Sequence, residues 1–279
     1  MAQSQNRAFT ETHTLRSRWE LADSLRNGTF LLTPYKPVYV LPAVWSSAPN
    51  RAPNSASRPN DPSSALDVVE CKFQFSFKTK VVQGLYKNKG DIWVAYTQSS
   101  RWQVYNYGLS RSFRETNYEP EVMLVWPTNY RLFGVRGSLL SAGLNHQSNG
   151  GAEPNSRSWN RLILQAGLER GRTTVLLRPW WRFPERDRAD ENPHITRLLG
   201  NGEIVVIHQL RSHVFTLQAR SDFIAAPFNG GSLQGDWSFT ISGHLKGHLQ
   251  VFHGYGESLI DYDHRQTTVG LGVSILDWL

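Results

Sequence analysis

The sequence predicts an all-β protein, a twelve-stranded antiparallel transmembrane β-barrel, and three observations lead to this fold class. Segments in which apolar side chains alternate with polar or small ones recur along the 279 residues, a pattern typical of strands with one apolar face. The candidate strands number about twelve, and bacterial outer-membrane barrels have an even number of strands. Long polar connections tend to alternate with short ones, as they do when long loops share one rim of a barrel and short turns the other.

The N-terminal part of the chain is predicted to lead into the barrel. Residues 1–28 are polar, with one possible helical piece at Thr14–Arg26, and the barrel is expected to occupy residues 29–279. An irregular first strand is predicted at residues 35–46. The segment Ser47–Ser64 is rich in Ser, Asn, Pro and Arg, a composition that indicates a loop.

The clearest strand signal is Val69–Lys78, in which apolar and polar residues alternate throughout. The two sets lie on opposite faces of a strand, so Glu70, Lys72 and Lys78 are predicted to point into the lumen. The two strands around residue 150 are discussed below. Two further clear candidates and six weaker ones complete the set: Trp237–Ser242 and Val269–Ile275, then Asp91–Gln98, Glu121–Asn129, Thr173–Trp181, Glu203–Leu210, Val214–Arg220 and Leu249–His253.

The connections between these strands fall into two classes. Tight links are expected near Thr128–Arg131, Arg170–Arg172 and Arg211–His213, while the link at Thr79–Gly90 is longer than a strictly alternating pattern requires. The long polar links are Ser47–Ala65, Tyr105–Asn117, Gln147–Arg157, Trp181–Asn201, Ser221–Gly235 and Glu257–Gln266.

A soluble β-sandwich or lectin-like domain also has alternating strands and stays open on pattern alone. The polar stripes, however, carry charges of both signs and the apolar stripes carry almost none, which favours a barrel with a polar lumen and a lipid-facing wall. No run of 18 apolar residues predicts a membrane-spanning helix, and a single cysteine, Cys71, excludes an intrachain disulfide. The net charge of +7 would suit an acidic partner, but no Lys/Arg-rich block or zinc-finger spacing supports nucleic acid.

The stretch Asn145–Arg161 is predicted to join two strands through a turn rich in Gly, Pro and Asn. His146 and Ser148 are two positions apart, so they share one otherwise apolar face of the first strand. Asn160 on the second strand can reach the other side of the imidazole. A hydroxyl, an imidazole and a group that orients the imidazole are the parts of an activated serine nucleophile. A Ser two residues from a His is also common without any catalytic role.

Three motifs resemble those of the bacterial outer membrane phospholipase A family. They are Asn145–Arg161, Phe113–Pro120 just before the fourth strand and Gly254–Tyr262 at the end of the eleventh. The resemblance runs from about residue 29 to the C-terminus and is weak in the first 28 residues and in Ser47–Ser64. The family forms twelve-stranded barrels that hydrolyse acyl esters of phospholipids and lysophospholipids, need calcium and work as dimers.

The resemblance implies a role for each residue of the site. Ser148 would be the nucleophile, His146 the general base and Asn160 the residue that orients His146. The backbone N–H of Gly150 would donate to the oxyanion.

The resemblance also implies a Ca2+ site that two subunits share. Its ligands would be the carbonyl of Gly151, Ser156 and Ser110 of the partner subunit, which are hard oxygen donors of the kind calcium prefers. The family often has an Arg at the position of Gly151 and an Asp at that of Gln147, so this chain departs from the pattern here.

The resemblance therefore implies a calcium-dependent phospholipase and lysophospholipase, a carboxylic ester hydrolase of the bacterial outer membrane that is activated by dimerisation. Its triad would lie on the lipid-facing barrel wall, towards the cell surface. Its partners would be membrane phospholipid and a second copy of the chain. The alternative is a non-catalytic outer-membrane barrel, such as a narrow channel or an adhesion protein, in which His146, Ser148 and Asn160 are incidental.

Overall fold

Pairing between neighbouring strands closes an antiparallel sheet into a barrel in the computed structural model, which describes residues 14–53, 65–186, 190–223 and 230–279. Within these ranges twelve strands of barrel length each pair with the next, and the last pairs with the first. The predicted fold class is confirmed. The strands are β1 Val38–Ser46, β2 Val69–Val82, β3 Asp91–Trp102, β4 Phe113–Leu132, β5 Val135–Ser148, β6 Ser158–Arg170, β7 Thr173–Arg182, β8 Gly202–Leu210, β9 His213–Ser221, β10 Ser232–Ser242, β11 Leu245–Tyr255 and β12 Arg265–Leu276.

The two faces of each strand differ in the way that its alternating sequence predicts. In β2, Lys72 and Lys78 are buried, whereas Phe75 and Phe77 are exposed on the outside. Exposed aliphatic and aromatic side chains recur on the outer faces of the other strands. An apolar surface of this extent is unfavourable in water and is typical of a barrel wall in contact with lipid.

Strand β4 is longer than its sequence indicates. Glu121–Asn129 was the expected strand and Thr128–Arg131 the expected turn, but pairing with β5 continues as far as Leu132. Pro127 and the residues after it form an irregularity in the ladder, where the register shifts before Tyr130, and not a turn. The chain reverses at the next two residues, Phe133 and Gly134, which both have positive φ angles, as a two-residue hairpin loop requires.

Loop lengths distinguish the two rims of the barrel. Between the described strands, six long connections alternate with five short ones, and all the long ones lie at the same rim. Predicted turns between Arg170 and Thr173 and between Leu210 and His213 are confirmed by the two-residue connections there. The link from Gln83 to Gly90 is the longest of the short ones, and in it Tyr86 and Lys89 form an isolated bridge. We call the two ends the long-loop rim and the short-turn rim.

Paired charges occupy much of the lumen. Lys72 lies 2.7 Å from Glu257, and Glu70 lies 2.9 Å from Arg114. These pairs agree with the prediction for Glu70 and Lys72, because a buried charge is tolerated only when it has partners.

Lys78 also points inward, but its partners are not acidic. Its ammonium group donates to the carbonyl oxygens of Arg18 and Pro34, at 2.9 and 2.7 Å. It also lies over the rings of Trp19 and Trp93. Carbonyl dipoles and aromatic faces therefore compensate this cation.

The N-terminal segment enters the barrel at the short-turn rim. Its expected helix is confined to one turn, α1 (Leu15–Arg18), and a 3-10 turn at Asp23–Leu25. Leu15 and Trp19 are buried in the main apolar cluster of the lumen, which also contains Leu279. The described helices are too short to cross a membrane. The helical turn and Trp19 thus pack inside the barrel, and the division of the chain at residue 28 stays a prediction.

Candidate active site

His146 lies on the outer face of β5, at the end of the strand that leads to the long-loop rim. Asn145 before it is buried in the lumen, so strand alternation directs the imidazole outwards, on the same face as the exposed Leu144. Strand β6 pairs with β5 so that Asn160 stands directly opposite His146. The Nδ1 atom of His146 and the Oδ1 atom of Asn160 are 2.8 Å apart. The structure thus brings together two of the three residues of the predicted triad.

This contact defines the tautomer of the ring. An amide oxygen can only accept a hydrogen bond, so the bond to Asn160 requires the proton on Nδ1 of His146. In the neutral ring the lone pair is then on Nε2. A base with its lone pair on the free nitrogen is the form that accepts a proton from a hydroxyl.

Ser148 follows on the same face, about 6–7 Å along the strand from His146. It is half-buried and stands opposite Ser158 of β6. Among the described residues its hydroxyl makes no hydrogen bond, with the imidazole or with any other group. Hydrogen bonds between catalytic groups are often long in the absence of substrate and shorten in its complex.

Two other outer histidines form the same kind of cross-strand bond. His253 bonds to the hydroxyl of Thr267 at 2.8 Å, and His208 bonds to that of Thr173 at 2.9 Å. Both rings are exposed and are bonded by the residue opposite them in the ladder. Neither has a serine two positions later in the chain. The bonded imidazole is therefore a recurrent feature of this wall, and what distinguishes His146 is its amide partner together with Ser148.

The loop after β5 is closed on itself by Asn149. The side-chain oxygen of Asn149 accepts hydrogen bonds from the backbone N–H groups of Gly151 and Arg157, and its nitrogen donates to the carbonyl oxygen of Asn155. These three bonds connect the two ends of the loop. Sequence analysis did not single out Asn149, although an Asn that opens a Gly-Gly turn is a recognisable signal for this kind of side-chain bond.

Gly150 occupies a position that only glycine fits well. Its φ angle is +63°, and a Cβ atom there would lie 3.1 Å from the ring of Tyr118. Its backbone N–H makes no hydrogen bond with the part of the chain that the structure describes. This N–H is therefore available to donate a hydrogen bond, and its role towards an oxyanion stays a prediction.

The predicted calcium ligands lie on two loops of the long-loop rim. Gly151 is exposed and Ser156 is half-buried on the loop that Asn149 closes, whereas Ser110 is exposed on the loop between β3 and β4. A carbonyl and two hydroxyl groups fit calcium in donor chemistry. None of the three is a carboxylate, and the described residues contain no group of three acidic, His or Cys side chains placed to hold a metal ion. The donor set thus predicts a weak site that needs ligands from outside one chain.

The three motifs that carry the family resemblance meet at this rim. Glu115 accepts hydrogen bonds from the side chain of Asn149 at 3.3 Å and from the backbone N–H of Ile260 at 3.1 Å. Arg114 lies 2.9 Å from Asp261. The contacts of Glu115 with Ile260 and of Arg114 with Asp261 join segments more than 140 residues apart in sequence. The motifs therefore form one buried support beneath the loop that carries Gly150 and Gly151.

A cavity of about 500 Å3 opens beside this loop. Its wall combines polar groups with apolar ones, among them Glu115, Tyr118, Gly151 and Phe113. Tyr118 pairs with Ser148 in the β4–β5 ladder. A partly polar recess thus adjoins the predicted nucleophile at the level where the wall passes into the loops.

The sequence does not point to a further carboxyl group that lies near the site. Glu185 lies in the loop after β7 and is half-buried. Burial raises the pKa of its carboxyl above the ordinary value, Arg182 and, when protonated, the imidazole of His146 oppose that rise, and Asp190 adds to it. Glu185 is thus within electrostatic reach of the imidazole. No motif or spacing marks it in the sequence, because its loop bears no pattern.

Comparison with known proteins identifies the family. The sequence profile of the phospholipase A1 family matches residues 15–275. The chain belongs to this family. A Neisseria meningitidis serogroup B protein with a provisional phospholipase A1 name is 40% identical over 252 residues, which are 87% of this chain and 65% of that protein. The chain thus spans less than two thirds of the length of that relative.

Solved structures give the same assignment. The outer membrane phospholipase A from Escherichia coli is 34% identical, with a TM-score of 0.81 over 90% of this chain and 100% of that one. An active-site mutant of it, with an asparagine changed to alanine, is 32% identical with a TM-score of 0.83 over 95% and 100% of the two chains. The Salmonella typhi outer membrane phospholipase, a dimer with bound calcium, is 32% identical, with a TM-score of 0.84 over 97% and 100%.

These relationships confirm the predicted family, the barrel of the bacterial outer membrane and the enzyme class, the carboxylic ester hydrolases. The roles of Ser148, His146 and Asn160, the calcium ligands and the dimer stay predictions for this chain.

Proposed function

We propose that the chain hydrolyses acyl ester bonds of glycerophospholipids and lysophospholipids at the outer wall of its barrel, with Ser148 as the nucleophile. The observation that carries the proposal is the hydrogen bond between His146 and Asn160 on a lipid-facing wall, two positions from a hydroxyl. The relatives named phospholipases support the substrate class.

In the first half of the reaction, the Ser148 oxygen attacks the ester carbonyl carbon while Nε2 of His146 accepts the hydroxyl proton. The carbonyl electron pair moves onto oxygen, where the N–H of Gly150 donates to the oxyanion. The ester C–O bond then breaks, and His146 gives its proton to the departing glycerol oxygen. Water repeats the same steps on the acyl-serine and releases the fatty acid.

Asn160 suits a site in contact with lipid. A carboxylate in its position would have to be desolvated, which is strongly unfavourable. A neutral amide holds the ring of His146 in the required tautomer without that penalty. When bound, calcium supplies positive charge that helps to stabilise the oxyanion.

The calcium ligands connect activity to dimerisation. Gly151 and Ser156 of one chain would be completed by Ser110 of the partner subunit, so that an isolated chain offers too few oxygen ligands for the six to eight that calcium takes. The Salmonella typhi dimer with bound calcium supports this arrangement. The site would then be active only where two barrels associate.

The alternative, a passive barrel, has less support in the structure. The lumen retains a cavity of about 140 Å3 among charged side chains such as Lys72, Arg101 and Glu257, and the N-terminal segment packs inside the short-turn rim. These features oppose a wide pore, and the experiment below decides between a passive barrel and a hydrolase.

The test combines a fluorophosphonate probe with hydrolysis of phospholipid in mixed micelles. The full chain is expected to be labelled on Ser148 and to hydrolyse phospholipid with calcium but not with EGTA. Ser148→Ala should lose both the label and the hydrolysis. Ser158→Ala is the matched control, because it removes the hydroxyl opposite Ser148 on the same face, and it should keep both. Unlabelled wild type, or undiminished hydrolysis by Ser148→Ala, would favour the passive barrel.

A complementation experiment tests the shared calcium site. Ser110→Ala chains have an intact Ser148, and Ser148→Ala chains have an intact Ser110. Each variant alone should hydrolyse slowly or not at all. Mixed dimers should regain calcium-dependent hydrolysis, since one of their two sites then has both groups. If Ser110 acted within its own chain, mixing would restore nothing.

A further inference from the structure

A second cavity, of about 370 Å3, lies at the short-turn rim, at the opposite end of the barrel from the candidate active site. The N-terminal segment, the β2–β3 connection and the β4–β5 hairpin enclose it. Five of its lining side chains are cationic: Arg16, Arg26, Lys87, Lys89 and Arg136. Asp23 is the acidic residue of the lining and forms an ion pair with Arg26 at 3.3 Å. The cavity thus has a large excess of positive charge.

Most of this charge is not compensated within the protein. The side chains of Arg16, Lys89 and Arg136 make no hydrogen bond or ion pair with another residue in the described ranges. Arg136 is half-buried, so its guanidinium group is partly withdrawn from water. Like charges that converge in a recess repel one another and attract an anion.

Two buried polar atoms on the same wall also need a partner. Nε of Arg26 and the hydroxyl oxygen of Thr128 are buried without a hydrogen bond. Thr128 lies where the β4–β5 ladder shifts register. Buried polar groups are nearly always bonded, and an anion in the cavity would accept from both of them.

We propose that this cavity binds a phosphate-bearing anion. Arginine guanidinium groups match the oxygens of phosphate in pairs of parallel hydrogen bonds, and lysines add charge with little demand on geometry. Two sources offer this chemistry: the headgroup of an anionic phospholipid in the adjoining leaflet, and a soluble phosphorylated compound. Exposed apolar side chains on the bounding turns, Leu85 and Tyr86 on one and Leu132 and Phe133 on the other, favour the lipid. The proposal is independent of the hydrolytic activity.

Binding is measured by calorimetry on the full chain in dodecyl maltoside micelles, without calcium. The soluble probe is inorganic pyrophosphate. The lipid probe is phosphatidylglycerol with ether-linked chains, which an ester hydrolase does not cleave, and ether-linked phosphatidylcholine is the zwitterionic comparison. Binding of both anions would mean that phosphate itself is recognised, and binding of phosphatidylglycerol alone would assign the lipid source.

The decisive variant is Arg136→Gln with Lys89→Gln. Each lost charged hydrogen bond should weaken binding by about tenfold. The matched control is Arg172→Gln with Arg211→Gln, which removes the same charge from exposed positions on two other short turns and should change the affinity by less than about twofold. Equal weakening in the control would overturn the proposal, because the rim charge and not the cavity would then be responsible.

Two further results would also overturn it. The first is that the wild-type protein has no higher affinity for pyrophosphate or phosphatidylglycerol than for ether-linked phosphatidylcholine. The other concerns Thr128→Val, which keeps the shape and the charge and serves if the double variant does not fold. It removes one donor and should weaken binding about fivefold, so an unchanged affinity would contradict the assignment.

Discussion

Similar polar groups on the inner and outer faces of the β5–β6 hairpin differ in how many hydrogen bonds they make. On the inner face, Asn145 donates to Glu119 and Glu121 and accepts from Arg161, at 2.7–3.2 Å. On the outer face, His146 has the single bond to Asn160. The two sets alternate along the same backbone, one residue apart. The side chain of Asn145 uses its bonding capacity within the lumen, whereas the groups proposed to react keep a lone pair and a hydroxyl unused.

Charge follows the same division. The inner face contains Arg161 and the carboxylate of Glu119, which it contacts, whereas the paired outer positions of the hairpin at this level hold His146, Asn160, Ser148 and Ser158. In the lumen a network of partners can compensate an ion, but lipid offers none. The outer face therefore can only use groups that become charged for the duration of a reaction.

The largest expected effect is that of His146→Ala. Removal of the proposed base should lower phospholipid hydrolysis by about 10⁴-fold or more and leave the stability nearly unchanged, because the ring is exposed and has one bond. The matched control is His253→Ala, which removes an outer imidazole with the same cross-strand geometry. Steady-state hydrolysis in mixed micelles measures both. Similar losses of hydrolysis in the two variants would mean that outer histidines have a structural role in the wall and take no part in the reaction.

Asn160→Ala should have the next largest effect. The variant keeps the base and the nucleophile but not the group that selects the ring tautomer, so kcat should fall by about 10- to 100-fold. KM should change little, since Asn160 is not proposed to bind substrate. Wild-type turnover in this variant would remove Asn160 from the proposed site.

Asn145→Ala should give the reverse outcome. It leaves Glu119, Glu121 and Arg161 each short of a partner inside the lumen, so the free energy of unfolding should fall by about 1–3 kcal/mol. Hydrolysis under conditions where the barrel remains folded should stay near the wild-type rate. Urea unfolding of the two asparagine variants side by side measures the difference, and equal stabilities would contradict the division between the faces.

The smallest expected effect is that of Glu185→Gln. Because burial raises its pKa, the carboxyl acquires its negative charge at a higher pH than an ordinary glutamate. Only above that pH does it favour the imidazolium that forms during the reaction. The ratio of wild-type to variant rates should therefore rise with pH, to about threefold. Glu153→Gln, at an exposed position of the loop after β5, should give a ratio that is independent of pH.

The barrel wall and the hairpin geometry could be predicted because both are local. Alternation in Val69–Lys78 assigns its two faces, and the turn after Asn145 aligns His146 with Asn160. The end of β4 was mispredicted because Pro127 and Asn129 are turn formers in isolation, whereas here a register shift accommodates them within the strand.

Contacts between distant segments could not be predicted from the sequence. The bonds of Glu115 with Asn149 and Ile260 depend on which loops meet at the rim, and no local pattern encodes that meeting. The same holds for Lys78, whose inward direction follows from alternation. One of its carbonyl partners, that of Arg18, comes from a polar N-terminal segment that gives no signal of entering the lumen.

That inserted segment has a consequence for the order of assembly. Leu15 bonds to Glu169, and Arg18 bonds to the carbonyl oxygen of Asp277, which lie 154 and 259 positions further along the chain. Contacts of such long range form late, because the entropy of chain closure must be lost before they stabilise the structure. We therefore expect neighbouring hairpins to pair before the N-terminal segment docks in the lumen, so that the short-turn rim stays open until a late stage of folding.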